Sequence, residues 1–292
     1  MGNISRLKVI AGVAIVVLIW GTVWPIYKIA LNYAPPILFA GLRSILGGLL
    51  FSAFLLPKWR EIRFKEVWHI FIISAIFNVI IFYGLQSIGL QYLPAGLFSV
   101  IVYLQPVLVV LLAWLWLKEP LTTMKISGII IGFLGVIFVS FDGITGKVSA
   151  IGILLALITG IGWAIGTVYV KKKSSLVNGL WLVAMQNIIG GIVFIIIGMG
   201  TEDITSIDWN LPFIATLLYG AVFGVTLAFV IYNKLMSAGE ASKVSSFTFL
   251  VPLISVLIGT LFLNEPFTYS LLIGMVLILG SIYMINRKNI PH

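Results

Sequence analysis

No cysteine occurs in the 292 residues. That excludes disulfide frameworks, thiolate metal sites and cysteine nucleophiles, and leaves the redox compartment unread. Charge is nearly as scarce: Asp, Glu, Lys and Arg make up 9% of the chain, against roughly 25% of an average soluble domain. With 61% of residues hydrophobic, water is not the main solvent. The acids Glu61, Glu66, Glu119, Asp142, Glu202, Asp203, Asp208, Glu240 and Glu265 all fall in loops or at the ends of apolar runs, and so do His69 and His292. No carboxylate or imidazole is left at mid-membrane depth, where proton relays through transporters usually need one. HExxH and GxSxG patterns, metal-ligand clusters and buried carboxylate pairs are lacking as well, so no catalytic residue, metal or cofactor is expected and a membrane-embedded enzyme is disfavoured. Neither charge rings nor a carbonyl filter suggests a channel. A receptor or a purely structural membrane protein stays open on sequence alone. The net charge of +9 does not indicate nucleic acid, because the basic residues sit between apolar runs and not on one solvated stripe.

What is present is a series of long apolar segments. About 20 such residues span the hydrocarbon as a helix, which satisfies its own backbone. Spans are expected at 9–30, 36–57, 68–88, 94–117, 124–141, 150–171, 179–199, 211–233, 241–263 and 269–286. The first, with Arg6 and Lys8 ahead of it, imitates a secretory signal but lacks a small-residue cleavage site and is read as a spanning helix. Gly2 starts a myristoylation pattern that Arg6 breaks. Short cytoplasmic loops carry the Lys and Arg excess. An inside amino terminus puts Arg6, Lys8, Lys58, Arg60, Arg63, Lys65, Lys118, Lys125, Lys171, Lys172, Lys173, Lys234, Lys243, Arg287 and Lys288 on the cytoplasmic side, and only Lys147 on the other. The expectation is an all-α integral membrane protein of ten helices, both termini cytoplasmic, in the inner (plasma) membrane.

The chain also repeats itself. WLWLKEP at Trp114–Pro120 parallels TLFLNEP at Thr260–Pro266, and Pro106, Ala95, Ser99 and Gly128 match Pro252, Ala241, Ser245 and Gly274 at an offset of 146. At 143, Trp20, Lys28, Gly47, Gly48 and Phe51 match Trp163, Lys171, Gly190, Gly191 and Phe194. Five helices per copy is an odd number, so residues 1–145 and 146–292 form two inverted repeats, the design of many secondary transporters that work by alternating access.

WGTVWPIYK at Trp20–Lys28, Arg43 early in helix 2, the Glu-Pro pairs ending helices 4 and 9 and the five-plus-five duplication resemble the drug/metabolite transporter superfamily, specifically its EamA-type branch, over essentially the whole chain. The resemblance implies a ten-helix exporter of amino acids, related metabolites or drugs, with a central cavity between the halves.

Candidate residues follow. Pro106 and Pro252 should kink helices 4 and 9 and free the carbonyls of Val102 and Thr248, with Pro25 repeating the theme beside Thr22 in helix 1. Trp20, Tyr83, Tyr103 and Trp163 fall inside helices, where each polar ring atom wants a partner. With Thr22, Trp24, Gln86, Thr167, Ser245 and Thr248 they are the substrate-binding candidates. Asn78, Gln186 and Asn187 are further polar residues near the expected cavity. The GxxxG pairs Gly128–Gly132, Gly162–Gly166 and Gly220–Gly224 read mainly as helix-contact scaffold. Two intramembrane cations remain. Lys28 lies near the outer interface, within snorkelling reach of headgroups. Arg43, roughly 10 Å into helix 2 at 1.5 Å per residue, either anchors a substrate carboxylate or caps scaffold carbonyls. The resemblance implies an arginine here in members with different substrates, which favours the structural role. Glu119 and Glu265 read as caps for the loops after their helices. Expected partners are a lipid bilayer and a small molecule, either an amino acid or metabolite or, alternatively, an amphipathic drug or amine. Oligomeric state, direction and ion coupling are not readable.

Overall fold

The computed structural model describes residues 6–144, 149–238, 241, 244, 247–263 and 269–286. Helices account for nearly all of them: α1 Arg6–Ala30, α2 Pro36–Leu55, α3 Phe64–Gly89, α4 Ala95–Leu117, α5 Thr123–Ile144, α6 Ala150–Lys173, α7 Gly179–Thr201, α8 Leu211–Ala238, α9 Leu250–Phe262 and α10 Tyr269–Asn286. By length and composition seven are fit to cross a membrane: α1 to α4 and α6 to α8. Thr123–Gly135, Leu250–Phe262 and Leu272–Ile285 are shorter apolar stretches. Large apolar side chains such as Phe54, Ile196, Leu261 and Phe262 point outward, as suits a protein whose solvent is lipid.

The largest interhelical contacts are α5 on α10 and α2 on α7, followed by α3 on α6 and α4 on α6. Small residues set these distances. A Cβ on Gly128 would lie 2.7 Å from Ile285, and one on Gly191 would lie 2.5 Å from Ile45, consistent with the close approach that glycines permit in membrane bundles.

Capping ties the two halves of the chain together. The α2 N-cap is Pro35, which has no side-chain acceptor. Its exposed N–H groups are met by Glu202 at the end of α7, where Oε1 accepts from Ile37 N at 2.9 Å and Oε2 from Leu38 N at 2.8 Å. Asn178 caps α7 itself, accepting from Leu180 N and Trp181 N, and donates to Glu61 at 2.6 Å. Glu119, expected to cap the loop after its own helix, accepts from Ala241 N at 2.7 Å in the other half of the chain. Glu265 lies outside the described residues. Lys125, counted above with the loop cations, sits buried in the first turn of α5.

Three helices leave regular α geometry, two of them in segments that contain no proline. Residues Ile76–Gly84 of α3 and Gly220–Leu227 of α8 are π-helical, a rare wide turn often found at functional sites. In α8 the irregular backbone is partly satisfied by Thr226, whose Oγ1 donates to Ala221 O at 2.9 Å and to Gly47 O at 3.1 Å. The α4 helix breaks at Tyr103–Leu104, just ahead of Pro106. A 3₁₀ turn, Phe247–Phe249, likewise precedes Pro252. Pro25, by contrast, does not interrupt α1, which runs unbroken to Ala30.

Candidate functional site

Along α1, Trp20, Val23, Trp24 and Tyr27 recur at three- and four-residue spacing, so they share one face. All four are buried. That face meets Phe82, Tyr83 and Gln86 from α3, Tyr103 from the break in α4, and Gly224 and Phe229 from α8, around a cavity of only about 10 Å³. The rings close it down to room for about one water molecule. Each irregular element contributes. The π segment of α3 ends just before Gln86, the break in α4 turns Tyr103 inward, and the π segment of α8 brings Gly224 O to 3.4 Å from Trp20 Nε1, which donates to it. Gly224 is required here, because a Cβ would lie 2.4 Å from the Tyr27 hydroxyl.

Below the cavity the rings form a layer. Trp20 and Trp163 meet edge to face, centroids 5.2 Å apart. Trp163 stacks on Phe82 at 4.7 Å and stands perpendicular to Tyr103 at 5.5 Å, while Tyr232 packs on Trp20 at 5.0 Å. On the other side of Tyr232 is a second space of about 10 Å³, lined by Val13, Val16 and Val17 of α1 with Leu235, Val244, Phe247 and Thr248. Since Val13–Val17 precede Trp20 on α1, the two spaces follow one another along that helix, separated by the Trp20–Tyr232 layer.

Of the residues singled out by sequence, Trp20, Trp24, Tyr83, Gln86 and Tyr103 line the cavity, Trp163 closes it from beneath, and Thr248 lines the second space. Thr22 does not face either. Its Oγ1 bonds the Leu18 and Ile19 carbonyls and the Tyr219 hydroxyl, which fixes α1 to α8. Thr167 accepts from Gln105 Nε2 at 3.3 Å, behind the ring layer. Asn78 and Gln186 both bond Ser74 in a polar seam between α3 and α7, and Asn187 donates to Val183 O. Asn78 and Gln186 are thus spent on helix contacts, while Asn187 bonds within its own helix and its Oδ1 has no partner among the described residues. Ser245 lies outside the described residues. The carbonyl of Val102, deprived of its partner by Pro106, faces Gly160 of α6, where a Cβ would come within 2.9 Å. It is therefore packed against protein and not held open to the cavity.

The two cations part company. Lys28 does not snorkel: Nζ donates to Leu90 O at 3.1 Å and Leu93 O at 2.6 Å, holding the end of α3. Its sequence match Lys171 does the same for the end of α8, donating to Met236 O and Ser237 O. Arg43 caps no backbone carbonyl among the described residues. Fully buried, its guanidinium lies 3.9 Å from the Tyr27 ring centre and 4.7 Å from that of Tyr83, and Nη2 donates to Gln86 Oε1 at 3.0 Å and Ser87 Oγ at 3.3 Å.

Sequence reasoning missed Tyr27, Phe82, Phe229 and Tyr232. Tyr27 was legible as the next turn of the Trp20–Trp24 face. Phe82 lies within the π segment of α3 and Phe229 just beyond that of α8, and such segments leave no periodic mark.

Two stretches, residues 7–141 and 150–287, match the model of the EamA-like transporter family. The chain belongs to the EamA-like transporter family. Membership places it among membrane transporters of small molecules and not among enzymes. It is similar to the uncharacterized transporter YvbV of Bacillus subtilis, with 47% identity over 99% of this chain and 95% of that one. It also resembles a probable amino-acid metabolite efflux pump of Escherichia coli K12, with 25% identity over 92% of each chain. One solved crystal structure superposes with a TM-score of 0.78, covering 97% of each chain at 18% identity, a likeness of fold alone.

Proposed function

We propose that this EamA-like protein exports amino acids or related small metabolites across the plasma membrane by alternating access, through a pathway formed by the first space, between α1, α3, α4 and α8, and the second, between α1, α8 and the segment leading into α9. The observation that carries the reading is the contact between Trp20 and Trp163. Residues 143 positions apart that match in sequence meet at 5.2 Å, as mates beside an axis relating inverted repeats would. The same axis accounts for the paired π segments, the paired breaks before Pro106 and Pro252, and the matched roles of Lys28 and Lys171. It supports ten spanning helices in two inverted repeats, 1–145 and 146–292, with cytoplasmic termini, and so does the double match of the family model. Opening the Trp20–Tyr232 layer on one side while closing the other would alternate access.

No acidic side chain lines either space among the described residues, so flux is read as driven by the solute's own gradient. Export of amphipathic cationic drugs is the second reading. Aromatic boxes favour it, but the buried charge of Arg43 beside the cavity opposes it. The test is efflux and counterflow of a labelled amino-acid panel from liposomes holding purified protein, with and without a pH gradient. Saturable counterflow independent of the gradient is expected. Strict gradient dependence overturns facilitation, and absence of saturable flux for amino acids, metabolites and drugs alike overturns transport through this cavity.

A further inference from the structure

Resting on that transport reading, we infer that Arg43 forms a carboxylate subsite, so the cargo is a small organic acid or zwitterion with an apolar or aromatic body and not an amine. Arg43 is fully buried, and Nε and Nη1 have no hydrogen-bond partner among the described residues. The described residues contain one ion pair, Arg63–Glu66, on the surface, so no carboxylate answers this charge. A guanidinium keeps its charge under all cellular conditions. Taking it out of water without an anion is costly unless something compensates. The Tyr27, Phe39 and Tyr83 rings at 3.9, 5.3 and 4.7 Å compensate in part through their quadrupoles. They leave the free N–H groups unanswered.

Tyr27, Tyr83 and Gln86, which hold the guanidinium, are also walls of the cavity. The buried hydroxyl of Tyr83 likewise has no partner among the described residues. The polar groups left over beside the cavity are therefore donors around a fixed positive charge, which is what a carboxylate needs. The remaining walls, Trp20, Trp24, Phe82, Tyr103 and Phe229, suit a flat apolar body. In a low-dielectric site a nearby fixed charge attracts an anion and repels a cation of the same shape.

Three probes share one body and differ only in charge: 3-phenylpropionate, phenylalanine and 2-phenylethylamine. Binding to purified wild-type protein is read by tryptophan fluorescence, and counterflow by liposomes. The acid, or the zwitterion, should bind and exchange at least about tenfold better than the amine. Arg43→Gln should abolish that preference while Arg43→Lys keeps part of it. An amine handled as well as the acid by wild type, or no binding of either carboxylate, overturns the subsite. So does an unchanged preference in Arg43→Gln. The wild-type comparison stands even if Arg43→Gln fails to fold. Saturable flux of any other solute in the same liposomes would leave the transporter reading intact while the subsite falls.

Discussion

Glu202 offers the sharpest test of how the bundle is joined. Its two carboxylate oxygens accept from consecutive backbone N–H groups of α2, at 2.9 and 2.8 Å, where Pro35 supplies no cap. Hydrogen bonds to charged groups contribute about 1.5–3 kcal/mol each, and an acid near a helix N-terminus adds about 0.3–1 kcal/mol from the dipole. The site is only half-buried, and water would take over part of each lost bond. The expected loss for Glu202→Ala is therefore about 2 kcal/mol, close to the upper range for a cap. Glu202→Gln keeps the shape but turns one acceptor into a donor facing an N–H, so it should lose about as much. The assay is reversible unfolding of purified protein in mixed micelles on titration with denaturing detergent, followed by tryptophan fluorescence, with the exposed Glu66 changed to Gln as the control. Losses below about 0.5 kcal/mol for both variants would show that Glu202 does not clamp α7 onto α2 and would refute the reasoning.

Trp20→Ala and Trp163→Ala remove the ring layer between the two spaces. Each should reduce counterflow several-fold with protein abundance retained, and unchanged flux in both would end the pathway reading. Gly224→Ala puts a methyl group 2.4 Å from the Tyr27 hydroxyl; transport should fall as Tyr27 is driven into the cavity, and Tyr27→Phe in the same background should restore part of it. Gly160→Ala presses on the Val102 carbonyl at 2.9 Å and should cost about 1–3 kcal/mol, the usual range for overpacking, measured by the same unfolding titration. Lys28→Met and Lys171→Met each strip the carbonyls at one helix end of their donor; both should destabilise by about 1–3 kcal/mol, and a large effect for one alone would argue against matched roles.

Apolar run lengths alone determined the helical, membrane-solvated character of this chain, because a backbone in lipid has no other way to satisfy its polar groups. The spacing of Trp20, Trp24 and Pro106 also exposed part of the cavity, since helical periodicity and a missing N–H are local properties. What tertiary structure decided were facts about partners distant in sequence. Thr22 looked like a cavity residue until Tyr219 claimed its hydroxyl, and Asn78 and Gln186 until Ser74 joined them. Lys28 looked like a headgroup anchor until the carbonyls of Leu90 and Leu93 came within reach. The π turns of α3 and α8 arise from packing and leave no periodic mark to read. Arg43 draws on both levels: the sequence placed a cation at depth, and only the fold surrounded it with rings and left its Nε and Nη1 without an acceptor. A charge's cost and use depend on what stands beside it in space, which the order of residues along one helix does not specify.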